Sequence, residues 1–329
     1  MQAQAIVIDT QGGPEVMQWK AVDVGQPGPG EVRIRHEAVG LNYIDVYQRN
    51  GTYPMPLPGR LGMEGAGVIE AVGEGVADLQ VGDRVAYASQ PPGAYSSHRV
   101  MPARCVLRLP DGIDFDTAAA MMLKGLTVQY LLRRTLPQGG LPAGEFVLFH
   151  AAAGGVGLIA CQWARALGLR LIATAGSDER CQTAIAHGAE FAINYRSQPD
   201  FAARVREITG GRGVRVVYDS VGADTWEGSL NSLAPFGLMV SFGNASGVVP
   251  PIQVSQLAAK GSLYLTRPTI FTHLATREST LEMGRELFDV VSRGQVRLHI
   301  DRRYALADAA TAHRDLEARR ITSSVVLKP

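Results

Sequence analysis

The sequence predicts an α/β protein in which a doubly wound parallel-sheet domain is inserted into a β-domain built from both ends of the chain. Three observations predict this architecture. The chain has 329 residues, enough for about two domains at roughly 100 to 200 residues each. Its first part consists of short apolar runs punctuated by Pro and Gly, and its middle part alternates buried runs with helical stretches. Its 37 glycines exceed the usual share of about 7%, which indicates many tight turns.

The first part of the chain, up to Asp116, predicts an all-β domain. The strand candidates are VRIRHEAVG, AGVIEAVG, DRVAYAS and SSHRVMPARCVLRLP, separated by Pro and Gly clusters. At Asp116 the pattern changes to the helical run DTAAAMMLKGLTVQYLLRR.

The middle of the chain predicts a parallel sheet. The runs VLFH, LIATA, FAINY, VRVVYD, LMVSFG and SLYLT are almost continuously apolar and are separated by helical stretches. Such runs are typical of strands buried on both faces, and six of them make a doubly wound domain. The uncharged stretch 146–164 is about as long as a membrane span, but its three glycines and His150 predict a strand, a turn and a helix.

The tail after Pro268 predicts a helix at STLEMGRELFDVVSRG, a strand at VRLHI, a helix at ADAATAHRDLEARR and a last strand at SSVVLKP. This tail is too short to form a core alone. We therefore expect it to dock on the β-domain, which gives domain boundaries of 1–123 with 267–329 for the β-domain and 124–266 for the inserted domain.

Charge and cysteine content restrict the partners and the compartment. The net charge is +1, from 32 Lys and Arg against 31 Asp and Glu, so there is no bulk field to attract nucleic acid or an anionic membrane. The three cysteines, Cys105, Cys161 and Cys181, are far apart and odd in number, which is not a disulfide framework. The start MQAQAIVIDTQGG lacks a basic region and a long apolar run. We expect a cytoplasmic protein with neither nucleic acid nor a membrane as partner.

A dinucleotide fingerprint follows the strand VLFH. Ala152 takes its first glycine position, Gly154 the second and Gly157 the third, with Gly155 and Val156 between them. A glycine at the second position allows the backbone to approach a pyrophosphate, and one at the third allows close packing of helix and strand. Because the loop lies between a buried strand and a helix, it predicts a phosphate site at the helix N-terminus.

The end of the second strand of this domain predicts which dinucleotide binds. Gly176 and Ser177 stand where an NAD-selecting acid would follow the strand, and Arg180, Tyr195 and Arg319 are candidates for contact with a 2′-phosphate. This pattern favours NADPH. Asp178 keeps the alternative open, because it could hold a ribose or simply stabilise the first turn of a helix.

Another loop follows the fifth strand of the predicted sheet. Phe242, Gly243 and Asn244 lie at the carboxyl edge, where ligands bind in doubly wound sheets. We expect them to contact the nicotinamide end of the cofactor.

Motifs along almost the whole chain resemble the medium-chain dehydrogenase/reductase superfamily, and most closely its NADPH-dependent quinone oxidoreductases of the zeta-crystallin type. They are LNYIDVYQRNGTYP, GMEGAGVIEAVGEGV, LKGLTVQYLL, FHAAAGGVGLIACQWA, VRVVYDSVG and LMVSFGNASG. The resemblance implies a GroES-like β-domain, an inserted Rossmann domain, an active site in the cleft between them and a homodimer that pairs near the strand SLYLT.

The resemblance also suggests which residues line the site and excludes a catalytic metal. The superfamily's zinc-ligand positions read Asn42, Met63 and Leu123 here, none of which is a good zinc ligand. No metal is expected. The polar lining implied by the motifs consists of four residues: Asn42, Tyr47, Tyr53 and Thr127.

The predicted activity is zinc-independent transfer of hydride, or of electrons, from NADPH to quinones. A conjugated acceptor fits a site without metal, because the charge left by hydride is delocalised and ordinary donors can hold it. Reduction of an enone or 2-alkenal double bond is the alternative within the enzyme class. A further alternative is an NADPH-binding protein without catalysis, such as an RNA-binding crystallin-like protein.

Overall fold

The computed structural model describes residues 1–136 and 140–329, and within them the strands and helices follow one another along nearly the whole chain. The strands are β1 (Gln2–Ile8), β2 (Gln18–Asp23), β3 (Glu31–Gly40), β4 (Gly59–Arg60), β5 (Glu64–Val72), β6 (Arg84–Ala88), β7 (His98–Pro102), β8 (Val106–Arg108), β9 (Phe146–Phe149), β10 (Arg170–Ala175), β11 (Phe191–Asn194), β12 (Val214–Asp219), β13 (Leu233–Ser241), β14 (Tyr264–Thr266), β15 (Ile300–Ala305) and β16 (Ser324–Lys328). The helices are α1 (Tyr43–Asn50), α2 (Phe115–Arg134), α3 (Gly155–Ala166), α4 (Asp178–Ala186), α5 (Phe201–Ile208), α6 (Trp226–Ser232), α7 (Ser255–Ala259), α8 (Ile270–His273), α9 (Arg277–Ser292) and α10 (Ala309–Glu317).

The chain divides into two compact units. The first contains residues 1–126, 273–292 and 298–329, and the second contains residues 127–272 and 293–297. No helix in the described ranges is long and apolar enough to cross a membrane.

The first unit is built on two sheets. One has the strand order β2-β1-β4, and the other has the order β15-β16-β3-β5-β6-β8, with β7 also paired to β3. The tail joins the larger sheet because β16 pairs antiparallel with β3, at Val326 opposite Gly40. The expected all-β domain also contains the helix α1. Asn42 stands in extended conformation before α1, and Gly51 ends the helix at a φ of 90°, which glycine adopts without strain.

The second unit is a six-stranded sheet with the order β11-β10-β9-β12-β13-β14, in which every paired strand is parallel. This is the strand order of a doubly wound nucleotide-binding domain. Every residue of β9 is buried, as expected for a strand covered on both faces. The stretch 146–164 forms β9, a turn and most of α3, which confirms that prediction.

Two strand predictions were wrong. The run SSHRVMPARCVLRLP was expected to be one strand, but a short 3-10 helix at Ala103–Cys105 divides it into β7 and β8. The run VRLHI was expected to be a strand, but β15 begins only at its last residue, Ile300. The side chain of Gln162 accepts a hydrogen bond from the Arg297 N–H at 2.9 Å and donates one to the Arg297 carbonyl at 3.1 Å. Because these backbone groups are satisfied by a side chain, they need no partner strand.

Candidate functional site

The glycine-rich loop of the second unit lies between β9 and α3. Gly154 is the N-cap of α3 in extended conformation, and the first N–H groups of such a helix have no acceptor within the helix. A side chain on Gly157 would overlap the backbone of Ala152, which is itself completely buried. Ala151 adopts a positive φ of 52°, a strained conformation for a residue other than glycine. The loop is therefore tightly held and presents backbone N–H groups to an anion.

The end of β10 forms a second corner. A Cβ on Gly176 would lie 2.6 Å from the Tyr195 hydroxyl, so only glycine allows that tyrosine to approach the end of the strand. Ser177 is the N-cap of α4, and its hydroxyl accepts a hydrogen bond from the Arg180 N–H at 3.3 Å. The structure thus brings together Gly176, Ser177, Arg180 and Tyr195.

A further arginine at this corner was missed by the sequence analysis. The Arg196 Nε lies 3.6 Å from the position of a Cβ on Gly176. Within the described ranges, neither the Arg180 nor the Arg196 guanidinium has a hydrogen-bond or ion-pair partner. The position of Arg196 directly after Tyr195 was the only signal that could have indicated it.

Asp178 has a partner within the protein. Its Oδ1 accepts a hydrogen bond from Asn194 Nδ2 at 2.7 Å, and it lies in the first turn of α4. A carboxylate at a helix N-terminus is stabilised by the helix dipole. This contact favours a structural role for Asp178 over a ribose contact.

The loop after β13 packs against the loop after β12. The Phe242 N–H donates to the Asp219 carbonyl at 2.8 Å, and a side chain on Gly243 would overlap Ser220. The Asn244 carbonyl accepts from the Gly247 N–H at 3.0 Å. These residues stand at the carboxyl edge of the sheet, in line with the sequence prediction for their location.

A buried carboxylate in the first unit orients Asn42. Asn42 Nδ2 donates to Glu64 Oε1 at 2.6 Å, and the Lys124 ammonium donates to the same oxygen at 3.2 Å. The Leu123 N–H donates to Glu64 Oε2 at 2.6 Å. Lys124 also donates to the Leu41 carbonyl at 3.1 Å. Glu64, whose role the sequence left open, therefore fixes which side of the Asn42 amide faces outward from this pair.

The residues at the superfamily's zinc-ligand positions do not fit a metal. Asn42 uses its amide nitrogen on Glu64, Met63 offers a thioether that accepts from Gln48 Nε2 at 3.5 Å, and Leu123 offers only an alkyl side chain. No group of three His, Cys, Asp or Glu side chains in the part of the chain that the structure describes is arranged to hold a metal ion.

A directional hydrogen-bond chain begins at Asp45, in the first turn of α1. Asp45 Oδ2 accepts from the Asn42 N–H and from the Tyr95 hydroxyl, each at 2.9 Å. The Tyr95 oxygen lies 3.1 Å from His313 Nε2, and His313 Nδ1 lies 3.1 Å from Arg49 Nη1. Because arginine only donates, His313 accepts at Nδ1 and donates from Nε2 to Tyr95.

Burial shifts the acid–base properties of this chain. Burial raises the pKa of Asp45 to about 7, against the hydrogen bonds from Asn42 and Tyr95, which lower it. Burial, together with Arg49, lowers the pKa of His313 to about 3. Arg49 itself forms a bidentate pair with Glu317 at 3.0 and 2.8 Å. The histidine is therefore neutral near pH 7, and Asp45 can hold a proton at a higher pH than an exposed aspartate does.

Three tyrosines form a ladder beside Asn42. The ring centroids of Tyr43 and Tyr47 are 5.4 Å apart, and those of Tyr47 and Tyr53 are 5.2 Å apart. Tyr43 is 43% exposed, whereas Tyr47 and Tyr53 are half-buried. The structure thus places Asn42 at the N-cap of α1, Tyr47 within α1 and Tyr53 in the turn that follows the helix.

Two predicted site residues do not fall in the same unit as the residues with which they were predicted to form a site. Thr127 is half-buried in α2 and is assigned to the second unit, apart from Asn42. Arg319 is assigned to the first unit, where it follows α10 with a φ of 58° and an exposed side chain. Their roles stay predictions.

Known proteins similar to this chain agree on one family. Residues 28–111 match the model of the alcohol dehydrogenase GroES-like domain, and residues 155–283 match that of the zinc-binding dehydrogenases. A quinone oxidoreductase of Pseudomonas aeruginosa is 54% identical, with 99% of this chain and 100% of the relative covered. A 2-haloacrylate reductase of a Burkholderia species is 44% identical over 99% of this chain and 98% of the relative. The crystal structure of Escherichia coli quinone oxidoreductase complexed with NADPH is 48% identical and superposes with a TM-score of 0.95 over 99% of this chain and 100% of the other.

Proposed function

The chain belongs to the quinone oxidoreductases of the medium-chain dehydrogenase/reductase superfamily, and on that premise we propose that it is an NADPH-dependent quinone reductase. The observation that carries the cofactor half of this proposal is the corner at Gly176, where Arg196 lies beside the strand end and Arg180 lies in the first turn of α4, and where neither guanidinium has a partner among the described residues. Two unpaired guanidinium groups at the end of β10 suit the additional phosphate of NADPH.

The residues of the second unit fit NADPH. Backbone N–H groups of Gly155, Val156 and Gly157 at the start of α3 would hold the pyrophosphate, because the Gly154 N–H already donates to the Ala151 carbonyl at 3.0 Å. Ser177, Arg180, Tyr195 and Arg196 would hold the 2′-phosphate. Phe242, Gly243 and Asn244 would contact the nicotinamide end, and Arg319 would add a further contact with the phosphate. When bound, NADPH supplies a hydride from its nicotinamide ring.

The residues of the first unit would orient the acceptor. We propose that Asn42, Tyr47 and Tyr53, with Thr127, contact the quinone or the nicotinamide. Glu64 engages the Asn42 amide nitrogen, and the Asn42 side-chain oxygen faces the Asp45 N–H in the capping box of α1. Because an amide oxygen has two lone pairs, Oδ1 would still accept a hydrogen bond from a further N–H donor. The tyrosine hydroxyls would donate to the quinone oxygens, where negative charge develops.

A second acceptor class is favoured by one relative. The similar protein from Burkholderia is named a 2-haloacrylate reductase, so reduction of a carbon–carbon double bond next to a carbonyl is the alternative activity. Quinones and enones share a conjugated carbonyl, and the same donors would serve both. Comparing 1,4-benzoquinone and 2-alkenals at equal concentrations decides between them by the ratio of kcat/KM.

The cofactor assignment is tested by replacing the two arginines. Arg180→Gln combined with Arg196→Gln should raise the KM for NADPH by about tenfold, since both side chains are exposed and each exposed ion pair contributes up to about 1 kcal/mol. The KM for NADH should change little, because NADH lacks the phosphate.

A matched control replaces an arginine away from this corner. Arg204→Gln removes a charge on α5 that pairs with Glu207 on the surface, and it should leave both KM values unchanged. An equal loss for NADPH and NADH in the double variant would contradict the phosphate role. Absence of quinone or enone reduction by the unmodified protein, with NADPH bound, would leave the non-catalytic or RNA-binding alternative.

We also propose a cytoplasmic homodimer. Three buried cysteines without disulfides suit a reducing compartment. β14 is the last strand of the six-stranded sheet, and its Tyr264 is 59% exposed, which suits pairing with a second copy along that edge. Cross-linking at β14 in solution tests this pairing, and a monomer by light scattering would contradict it.

A further inference from the structure

A row of polar residues crosses the carboxyl end of the six-stranded sheet. The register aligns one residue from each of four neighbouring strands at this level: Thr174 of β10, His150 after β9, Asp219 of β12 and Ser241 of β13. All four are buried. Buried polar groups of this kind persist only when they are hydrogen-bonded, so their partners show what the row connects.

Three of these residues form a continuous hydrogen-bond chain with Ser229 of α6. His150 Nδ1 lies 2.8 Å from Thr174 Oγ1, and His150 Nε2 lies 2.9 Å from Ser229 Oγ. The Ser229 hydroxyl donates to Asp219 Oδ2 at 2.8 Å. Ser229 thus bridges His150 and Asp219.

The direction of the chain follows from its carboxylate end. The Ser229 hydroxyl has one proton and donates it to Asp219 Oδ2, so the Ser229 oxygen accepts from His150 Nε2–H. His150 Nδ1 then accepts the Thr174 hydroxyl proton. Burial lowers the pKa of His150, which keeps the ring neutral and able to donate at one nitrogen while accepting at the other.

Each member of the chain anchors a different part of the nucleotide site. The Thr174 carbonyl accepts from the Ala152 N–H at 3.1 Å, and Thr174 lies two residues before Gly176. His150 is the residue at which the phosphate loop begins. Asp219 Oδ1 accepts from the N–H groups of Val221 at 2.8 Å and Gly222 at 3.0 Å. These contacts join the two strand ends on the phosphate side to the turn after β12.

The contact with the nicotinamide-side loop runs through the backbone of Asp219. Its carbonyl accepts from the Phe242 N–H at 2.8 Å, and the Ser246 N–H donates to the Val221 carbonyl at 2.8 Å. The loop after β13 is therefore held by the same turn that the Asp219 carboxylate organises.

We propose that His150 and Ser229 are positioning residues that couple the phosphate end of the nucleotide site to its nicotinamide end. Binding of the adenosine and phosphate half orders the Thr174 and His150 end of the chain, and the chain transmits that order through Ser229 to the turn at Asp219 and to the loop that begins at Phe242. This inference rests on the proposed function, because it takes the nucleotide as the ligand. A coupling of this kind is worth a measurable change in the stability of the distant loop.

The test fills only one half of the site. The probe is 2′,5′-ADP, which carries the adenosine and the 2′-phosphate but no nicotinamide, and the readout is hydrogen exchange at the amides of Gly222 and Phe242 in the full chain. Binding of 2′,5′-ADP should raise the protection of these two amides by about fivefold or more in the unmodified protein. Its affinity is measured separately by titration calorimetry.

Two variants differ in whether they break the chain. Ser229→Ala removes the bridge, and Thr225→Val removes another hydroxyl that donates to the same Asp219 oxygen at 2.7 Å but has no contact with His150. Both variants take one hydrogen bond from Asp219. Only Ser229→Ala should abolish the rise in protection, and it should weaken NADPH binding by about tenfold while leaving the affinity for 2′,5′-ADP within about twofold.

A third variant guards against a folding defect. Thr174→Val preserves the side-chain shape and breaks the chain at its other end, so it should abolish the coupling as Ser229→Ala does. Thermal unfolding of each variant confirms that it is folded before exchange is measured.

The outcomes separate this inference from the proposed function. If 2′,5′-ADP does not bind the unmodified protein, the NADPH assignment fails and this inference fails with it. If 2′,5′-ADP binds but the two amides gain no protection, the NADPH assignment stands and the coupling is wrong. Equal loss of coupling in Thr225→Val and Ser229→Ala would also overturn it, because the effect would then follow from Asp219 alone and not from the bridge.

Discussion

Two buried carboxylates, Asp219 in the second unit and Asp45 in the first, are treated differently by their surroundings. Both are completely buried, and neither forms an ion pair with any described residue. Asp219 accepts four hydrogen bonds, from the Ser229 and Thr225 hydroxyls and from two backbone N–H groups. Asp45 accepts two, both on Oδ2, and its Oδ1 has no partner among the described atoms.

The difference shows how the number of donors decides what a buried acid does. At Asp45 the cost of burying the charge exceeds the stabilisation from two donors, and the pKa rises to about 7. At Asp219 every oxygen is satisfied, and the group serves as an anchor for two loops. The first unit therefore contains an acid that can hold or release a proton near neutral pH, and the second contains a hydrogen-bonded anchor for the loops after β12 and β13.

The largest effect on stability is expected at a third buried carboxylate, Glu64, which, unlike Asp45, forms an ion pair with Lys124. Glu64→Gln leaves the Lys124 ammonium buried without its carboxylate and places an amide nitrogen or a neutral oxygen against the Leu123 N–H. Removing one partner of a buried pair costs about 3 to 5 kcal/mol, and we expect the free energy of unfolding to fall by about 5 kcal/mol in urea titrations, the upper end of that range.

A double variant checks that the buried charge is the cause. Glu64→Gln with Lys124→Met removes both partners and should be more stable than Glu64→Gln alone, because no uncompensated charge remains. If the single variant lost less than about 1 kcal/mol, the pair would be behaving as a solvated surface ion pair.

The next effect is the pH dependence of Asp45. Its pKa is 3.8 when unperturbed and about 7 in the folded protein. Below about pH 4 both the folded and the unfolded chain are protonated there. As the pH rises from about 4 to about 7, the unfolded chain releases the proton and the folded one keeps it, so this residue lowers stability by an amount that reaches about 4 kcal/mol at pH 7 and above.

Asp45→Asn removes this dependence while retaining an oxygen for the Asn42 and Tyr95 donors. Urea unfolding between pH 4 and pH 8 should show the variant gaining on the unmodified protein as the pH rises, with the difference levelling off above about pH 7. Glu64, whose charge raises the Asp45 pKa, and Lys124, whose charge lowers it, are unchanged in both proteins. A constant difference across this range would mean that Asp45 is ionised throughout.

A smaller effect is expected when Asp219 is neutralised. Asp219→Asn turns one acceptor into a donor, and the hydroxyls of Ser229 and Thr225 can rotate to accept from it. The chain through His150 can then reverse, with His150 Nε2 accepting and Nδ1 donating to Thr174. We expect a loss of about 1 to 3 kcal/mol, smaller than at Glu64.

The reversal has a spectroscopic signature. Nitrogen-15 NMR of His150 should show the proton on Nε2 in the unmodified protein and on Nδ1 in Asp219→Asn, with Thr225→Val as a control that keeps the proton on Nε2. If the proton stayed on Nε2 in Asp219→Asn, Ser229 would still be accepting from His150 and not from the new amide. The direction of the chain would then not depend on Asp219.

The sequence was most informative where neighbouring residues determine the structure. The strand, loop and helix from Phe146 to Ala166 were predictable, because the apolar run and the glycines act within a few residues. The strand at VRLHI was mispredicted because Gln162, which is 135 residues from Arg297 in sequence, supplies the hydrogen bonds. Local pattern holds no information about such a partner.

The candidate sites show the same limit. The nucleotide loop could be predicted from spacing, but the Asn42 and Glu64 contact joins residues 22 positions apart, and the polar row depends on the register of four strands. Arg196 was missed because its relevance depends on how close it lies to Gly176 in space. A motif in the sequence predicts which loop or helix a site residue belongs to. Which side chains of different elements touch can be known only from the fold.

The smallest effect is expected at the three cysteines, which lie in both units. We expect their thiols to be unreactive in the native protein. Burial raises the pKa of the Cys161 thiol to about 12, and burial followed by the charge of Asp178 raises that of Cys181. Cys105 is also buried. Since the thiolate is the reactive form, an aromatic disulfide reagent should label none of the three thiols in the native protein at neutral pH and all three in guanidinium chloride. Saturating NADPH should leave the result for the native protein unchanged.

Rapid labelling of Cys105 alone in the native protein would reveal local opening of the first unit. Labelling of Cys181 that NADPH suppresses would instead show that α4, which contains Arg180, opens in the absence of the cofactor.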